Sequence, residues 1–514
     1  MGTIVETRSG RVEGFELEGA KVFRGIPFAR PPVGPLRLRP PLPEIPWPGV
    51  RRAAEHGPTA PQNGSMTGAL LGLPSAKHSE DCLSLGVVTP ACDGGRRPVM
   101  VWIHGGGFVF GAGSQAVYES PGFALRGDVV VVTINYRLGA FGWLALPELG
   151  AEEGGVIGNQ GLLDQIAALE WVRDCIDRFG GDPANVTIFG ESAGAMSVGT
   201  LLGTPRAAGL FGRAILQSGA AHNVAPLETA ARVAEVLMKE LDLAPGDVAR
   251  LRELPVERIL EAQGRAIFQM ASLVRGIPFQ PTLDGLVLPE QPLDALSAGA
   301  SRDVSVLVGT NRDEWRLFGL ADTKARELDD ESLLRRVERN VPGRDAAGRP
   351  HAERAITTYR DARRAAGLPA TAADLWFAIE GDRFFGVPAL RLAERRVAAG
   401  GAPVHKYLFT WASPALGGAL GSCHALEIPF VFGTAPSLPA LRTFVGEGEP
   451  ADRLSLEMRD AWTSFARSGD PSHPGLGVWP RFEPLRAPTL VFGAGSRVED
   501  GPHRDELAFW NGLL

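Results

Sequence analysis

Cysteine is scarce. Only Cys82, Cys92, Cys175 and Cys423 occur in 514 residues. So few in so long a chain do not make a disulfide framework, and a reduced, cytoplasmic protein is expected. No run of 18 apolar residues exists, so no membrane span is expected. The amino terminus lacks a basic stretch followed by an apolar one, and residues 3–12 already read as strand and turn, so no secretory leader is expected. There is no H-E-x-x-H pattern and no Cys/His cluster, so neither a metal nor a cofactor is expected. Positive charge is also short. With 52 Lys and Arg against 59 Asp and Glu, the net charge of −7 argues against a nucleic-acid partner. No internal repeat and no disordered tail stand out. What is present is an ordinary globular composition, 44% apolar and 22% charged, with enough apolar residues for a large core.

Glycine, by contrast, is plentiful, and two Gly-rich stretches follow strands. Val186 to Phe189 reads as a buried strand, and Gly190-Glu191-Ser192-Ala193-Gly194 follows it directly. Residues 196–202 then read as a helix. With 64 glycines, chance alone supplies about 0.3 to 0.4 copies of G-x-S-x-G, so context has to decide. The context is a strand turning sharply into a helix, which exposes the turn residue at the carboxyl edge of a sheet. Ser192 occupies that turn and is the candidate nucleophile. Upstream, Val99 to Ile103 is a buried strand that runs into His104-Gly105-Gly106-Gly107-Phe108. Such a loop lets backbone N–H groups face a cavity, as stabilisation of a tetrahedral oxyanion requires. The alternative is a flexible loop in a Gly-rich chain, but two such motifs after strands, in this order, favour the functional reading.

The remaining chain alternates strands and helices. Residues 129–135 form a strand. Residues 161–179 carry Leu162, Ile166, Leu169, Val172 and Ile176 at helical spacing. Further strands are expected at 214–217, 304–309, 404–411 and 489–492, with a helix at 450–467. The expected architecture is α/β, a mostly parallel central sheet flanked by helices, with ligands at the carboxyl ends of the strands. One domain over residues 1–514 is expected. Helical segments at 225–300 and 320–400 exceed what the sheet needs and are read as insertions forming a gorge or lid. The Pro-rich stretch 25–37 reads as a rigid surface strap.

A serine nucleophile needs a base and a carboxylate that orients it. Asp313 and Glu314 both lie just past a strand. The downstream histidines are His351, His405, His424, His473 and His503. His424 sits in a loop shortly after a strand, where a mobile imidazole is wanted, but spacing does not exclude His473 or His503.

Many ordered motifs make the chain resemble the type-B carboxylesterases, the family of bacterial p-nitrobenzyl esterases, animal carboxylesterases and cholinesterases. They include Phe23 to Ala29, Ser79 to Leu83, His104 to Phe108, Asn135 to Gly139 and Gly158 to Gln165. The series continues through Phe179 to Pro183, Gly190 to Gly194, Asn311 to Glu314, His424 to Phe430 and Gly469-Asp470-Pro471. The resemblance implies an α/β-hydrolase fold. It implies Ser192 as nucleophile, Glu314 as acid and His424 as base, with an oxyanion hole from the N–H groups of Gly106, Gly107 and Ala193. Glu191 matches a family glutamate near the site, either as a source of negative potential or as a structural hydrogen-bond partner. The implied partners are a small ester and water, and a monomer is expected.

The chain also departs from the family pattern. Ala60 stands where secreted relatives place a cysteine that pairs with the equivalent of Cys82. Ser84, Gly86 and Val88 replace larger or amide side chains, and Trp315 replaces a frequent glycine. Phe108 and Trp315 are expected to give an apolar pocket for short acyl or aryl esters. The expected reaction is two-step ester hydrolysis through an acyl-enzyme. An amide or carbamate hydrolase with the same triad is the alternative, and a non-catalytic binding protein would have lost the triad.

Overall fold

The computed structural model describes residues 3–64, 77–152, 155–274 and 276–513. Its centre is an eleven-stranded sheet. The strands are β1 (Phe15–Leu17), β2 (Ala20–Pro27), β3 (Ser84–Thr89), β4 (Arg97–Ile103), β5 (Val130–Ile134), β6 (Gly181–Glu191) and β7 (Arg213–Gln217). They continue with β8 (Ser305–Asn311), β9 (Val404–Phe409), β10 (Pro488–Phe492) and β11 (Arg497–Asp500). Their order across the sheet is β11-β10-β9-β8-β7-β6-β4-β5-β3-β2-β1. The run from β10 to β5 is parallel, and β1, β2, β3 and β11 pair antiparallel at the two edges. The expected mostly parallel sheet is therefore present, with antiparallel edges that the sequence pattern did not reveal.

The central strands are apolar on both faces because helices cover both. On one side lie helix α1 (Gln160–Cys175) and helix α2 (Ala193–Gly203), whose Leu162, Ile166, Leu169, Met196 and Leu201 join Val101, Ile103 and Ile188 of the sheet in one core. On the other side lies α3 (Glu449–Ser468). Its Leu454, Met458, Trp462 and Phe465 meet Trp102, Phe189 and Tyr407. Trp102 packs edge-on against Phe189, with ring centroids 4.8 Å apart.

Helices also fill the expected segments, at Leu227–Glu240 and Val256–Val274 and then from Asp330–Asn340 to Val387–Ala398. The Pro-rich strap is tied down by Arg37, whose guanidinium makes two 2.6 Å bonds to Glu80 and a 2.5 Å bond to the Leu254 carbonyl. Among the described residues, no helix is long and apolar enough to cross a membrane.

The loop after β5 is anchored to α1 by a buried ion pair. Arg137 makes bonds of 2.8 and 2.7 Å to the two oxygens of Asp164, and its main-chain N–H adds a third at 3.0 Å. Both side chains are sealed from water, so removing one partner strands the other charge. Asp164→Ala is therefore expected to cost about 3–5 kcal/mol of stability in urea unfolding. A loss below about 1 kcal/mol would show that the pair is not an anchor.

Candidate active site

The carboxyl ends of β4, β6, β8 and β9 point to the same edge of the sheet, as parallel pairing requires. Each carries a motif there. β6 ends at Glu191, α2 starts at Ala193, and Ser192 is the single residue between them. Its backbone is strained, with φ 54° and ψ −126°. The turn is held by Ser192 N–H donating to the Gln217 carbonyl at 2.9 Å and by the Met196 N–H donating to the Ser192 carbonyl. Helix α2 runs so close to β4 that a Cβ on Gly194 would fall 2.0 Å from the Ile103 carbonyl. Ser192 is half-buried between fully buried neighbours, so its side chain keeps access.

The loop after β4 faces this turn. A Cβ on Gly105 would lie 2.7 Å from the Glu191 carbonyl and 3.1 Å from Ser192 Cβ. His104 fixes the loop from behind. Its ring stacks on Tyr136 at 4.4 Å, and Tyr136 donates a 2.8 Å bond to the His104 carbonyl. His104 Nδ1 lies 2.8 Å from the Gly105 carbonyl, which only accepts, so Nδ1 carries the hydrogen. Burial pushes the His104 pKa down to about 4, so the ring is neutral. No hydrogen bond among the described residues uses the N–H of Gly106 or Gly107. The Ala193 N–H, at the first position of α2, has no intrahelical acceptor. Phe108 is fully buried, its ring edge-on to Trp143 at 4.9 Å.

Glu314 follows β8, and His424 lies in the loop after β9. Glu314 Oε1 accepts the Asn311 N–H at 2.8 Å, while Oε2 sits 2.7 Å from His424 Nδ1. Asp313, the other acid left open by the sequence, turns away, accepting the Ser422 N–H at 2.9 Å and pairing with Arg312. The other histidines are held elsewhere. His473 binds the Glu457 carbonyl, His503 approaches Glu506, and His405 lies in β9.

On the opposite side of the ring, His424 Nε2 lies 3.0 Å from Glu191 Oε1. Among the described residues that oxygen has no other partner, so the contact is a close charge pair when the ring is protonated. Burial lowers the His424 pKa, but the charges of Glu191 and Glu314 outweigh it and hold the pKa well above the ordinary histidine value. Burial raises Glu191, against the pull of His424.

Three further groups received no role from the sequence. Glu427 lies fully buried behind the pair. Its oxygens accept from Asn311 Nδ2 at 2.7 Å and Gln217 Nε2 at 3.0 Å, and Trp462 Nε1 donates to Gln217 at 3.0 Å. Burial, then the nearby Glu191 and Glu314 charges, push Glu427 up to about 8. Phe318 and Phe385 flank the His424 ring at 5.0 and 4.7 Å, and Trp315 packs on Phe318 at 4.8 Å. The spacing Glu314…Phe318 places both on one helical turn, which was the available signal for Phe318. Phe385 lies far away in sequence and had none.

A sheet of this topology, with a serine at a strand-to-helix elbow, defines an α/β-hydrolase. The family model described as "Carboxylesterase family" matches residues 1–510. The chain is 36% identical over 506 residues to the para-nitrobenzyl esterase of Bacillus subtilis, covering 98% of this chain and 97% of that protein. It is 34% identical to the phenmedipham hydrolase of Pseudarthrobacter oxydans, covering 95% of each. Among solved structures it is similar to a Geobacillus stearothermophilus carboxylesterase, with TM-score 0.86, 42% identity, and 99% of this chain and 100% of that one covered. The chain belongs to the carboxylesterase family and is a carboxylic ester hydrolase.

The Glu427 environment has a measurable consequence. An acid with a pKa raised on folding binds its proton more tightly when folded, so folding stability falls as pH rises from the ordinary 4.5 through about 8. Glu427→Gln removes that charge. Its melting temperature relative to wild type is expected to climb across this window. A difference that does not change with pH would mean that Glu427 is not held protonated.

Proposed function

We propose that Ser192 is the nucleophile of a two-step ester hydrolysis, with His424 as its base and Glu314 as the acid that orients the imidazole. Ser192 Oγ attacks the ester carbonyl while Nε2 of His424 takes its proton, and the alcohol leaves with the proton that His424 returns. Water then cleaves the acyl-enzyme by the same route. The N–H groups of Gly106, Gly107 and Ala193 hold the oxyanion. The observation that carries this reading is the 2.7 Å Glu314–His424 bond at the strand edge that also presents Ser192 on a strained turn. Glu191 supplies negative potential on the far side of the ring.

Trp315 with Phe318, Phe384 and Phe385 gives an apolar wall suited to short acyl or aryl esters, and esters are favoured over amides. Phe108, packed on Trp143, is the other aromatic residue assigned to that pocket. The helical segments 225–300 and 320–400 are the walls of the gorge within one domain. A monomer working in the cytoplasm fits the four unpaired cysteines, of which Cys82, Cys175 and Cys423 are buried.

Ser192→Ala is expected to lower turnover of p-nitrophenyl acetate and butyrate by about 10⁴-fold or more and to abolish labelling by an organophosphate. A variant that keeps wild-type turnover would rule out Ser192. The pH profile is a second check. A base with a raised pKa stays protonated to higher pH, so the acid limb of kcat/KM lies above the ordinary histidine range. Glu191→Gln removes one of the two charges that raise it and moves this limb to lower pH. An unmoved limb would separate Glu191 from the base.

A further inference from the structure

Residues 218–223 leave β7 and pass directly beside the elbow. A Cβ on Gly219 would lie 2.6 Å from the Ser192 carbonyl and 2.8 Å from Ala195 Cβ. This short segment carries four polar atoms that are shut off from solvent and have no hydrogen-bond partner among the described residues. They are Ser218 Oγ, both ring nitrogens of His222, and Asn223 Oδ1. Polar atoms are seldom left this way, and a group of them beside a reaction centre calls for an explanation.

The neighbours of His222 are aromatic. Its ring lies edge-on to Phe384, with centroids 6.1 Å apart. Phe384 and Phe385 sit on a π-helical turn, Asp382–Gly386, and such turns recur at functional sites. Phe384 meets Trp315 at 5.6 Å and Phe385 at 4.9 Å, and Phe385 reaches His424 at 4.7 Å. A row of touching aromatic rings therefore runs from His424 to an imidazole whose nitrogens have no hydrogen-bond partner of good geometry among the described residues.

Burial pushes the His222 pKa down to about 4; the Phe384 main chain opposes this, and the nearby Arg383 charge adds to the lowering. The ring is neutral at neutral pH. A neutral imidazole offers one N–H donor and one acceptor. The two nitrogens point to opposite sides of the ring, so one hydroxyl meets one of them, donating to the bare nitrogen or accepting from the N–H. A hydroxyl serves whichever nitrogen faces it, whereas a carboxylate only accepts and an ammonium group only donates.

We propose that Trp315, Phe384 and His222 form a subsite for an aromatic ring bearing a hydroxyl group, with the ring against the two aromatic side chains and the hydroxyl on His222. The unpaired Asn223 amide oxygen is next to it in the chain. The subsite rests on the ester-hydrolase reading with Ser192, and either half of an ester could supply the ring.

The test uses pairs in which hydroxyl is replaced by methyl, which keeps shape and removes the hydrogen bond. Phenol and toluene are compared as competitive inhibitors of p-nitrophenyl acetate hydrolysis by the wild type. Phenol is expected to bind about tenfold more tightly. His222→Leu removes this preference, and His222→Gln, which keeps a donor and an acceptor, preserves it. Methyl 3-hydroxybenzoate against methyl 3-methylbenzoate reads the acyl side, and 3-hydroxyphenyl acetate against 3-methylphenyl acetate reads the alcohol side. The pair whose hydroxyl preference collapses in His222→Leu identifies the half that reaches His222. Toluene binding as tightly as phenol to the wild type, or a preference that survives His222→Leu, overturns the subsite. The wild-type inhibition and His222→Gln decide the matter even if His222→Leu does not fold. Loss of p-nitrophenyl acetate turnover would instead bear on Ser192 and its partners.

Discussion

An imidazole sealed from water between two carboxylates is the contact on which the site depends. Burial alone would hold His424 neutral, yet Glu314 on one side and Glu191 on the other reverse that and favour the imidazolium. The imidazolium is the species formed when a base removes a proton from a serine hydroxyl. The cost of assembling these charges appears one layer further back. Burial first, and then the Glu191 and Glu314 charges beside it, make Glu427 take up a proton and hold it to about pH 8. The amides of Asn311 and Gln217 donate to Glu427 and pull the other way, towards the carboxylate, but burial and the neighbouring charges outweigh them.

The fold sets the position of this contact through strand polarity. Parallel pairing of β4, β6, β8 and β9 brings four chain segments out at one edge, and their order in the sheet places the turn of Ser192 between the glycine loop and the strand that leads to Glu314. The strain at Ser192 is stored by packing that leaves no alternative, since α2 lies against the Ile103 carbonyl with no space for a side chain at Gly194. The same apolar layers that cover both faces of the sheet fix the aromatic rings around His424. The site is therefore rigid at its centre, and its variable surface lies on the loops and helices that follow the strands.

Much of this was legible in the sequence because its signals are local. A strand followed by Gly-Glu-Ser-Ala-Gly, or by His-Gly-Gly-Gly, defines both a shape and a chemistry within ten residues. The parallel strands were visible as short apolar runs. The hairpin of β1 and β2 was not, because Lys21, Arg24 and Gly25 break the apolar pattern within β2. The choice between Asp313 and Glu314 was not decided by spacing either, since two neighbouring residues can both face a loop. In space the two part ways: Asp313 caps Ser422, and Glu314 meets His424 across 110 residues. Glu427 and Phe385 act through contacts of the same long range, and His222 drew no attention because nothing near it in the chain has a pattern.

The most direct test of this account is the titration of the His424 imidazole in the resting wild-type enzyme, followed by ¹⁵N NMR with assignment through a His424→Gln sample. The account predicts a midpoint above the ordinary histidine value, with the Nδ1 proton retained on both sides of it. A midpoint at or below the ordinary value would mean that burial outweighs the two carboxylates, and the electrostatic arrangement described for this site would be wrong.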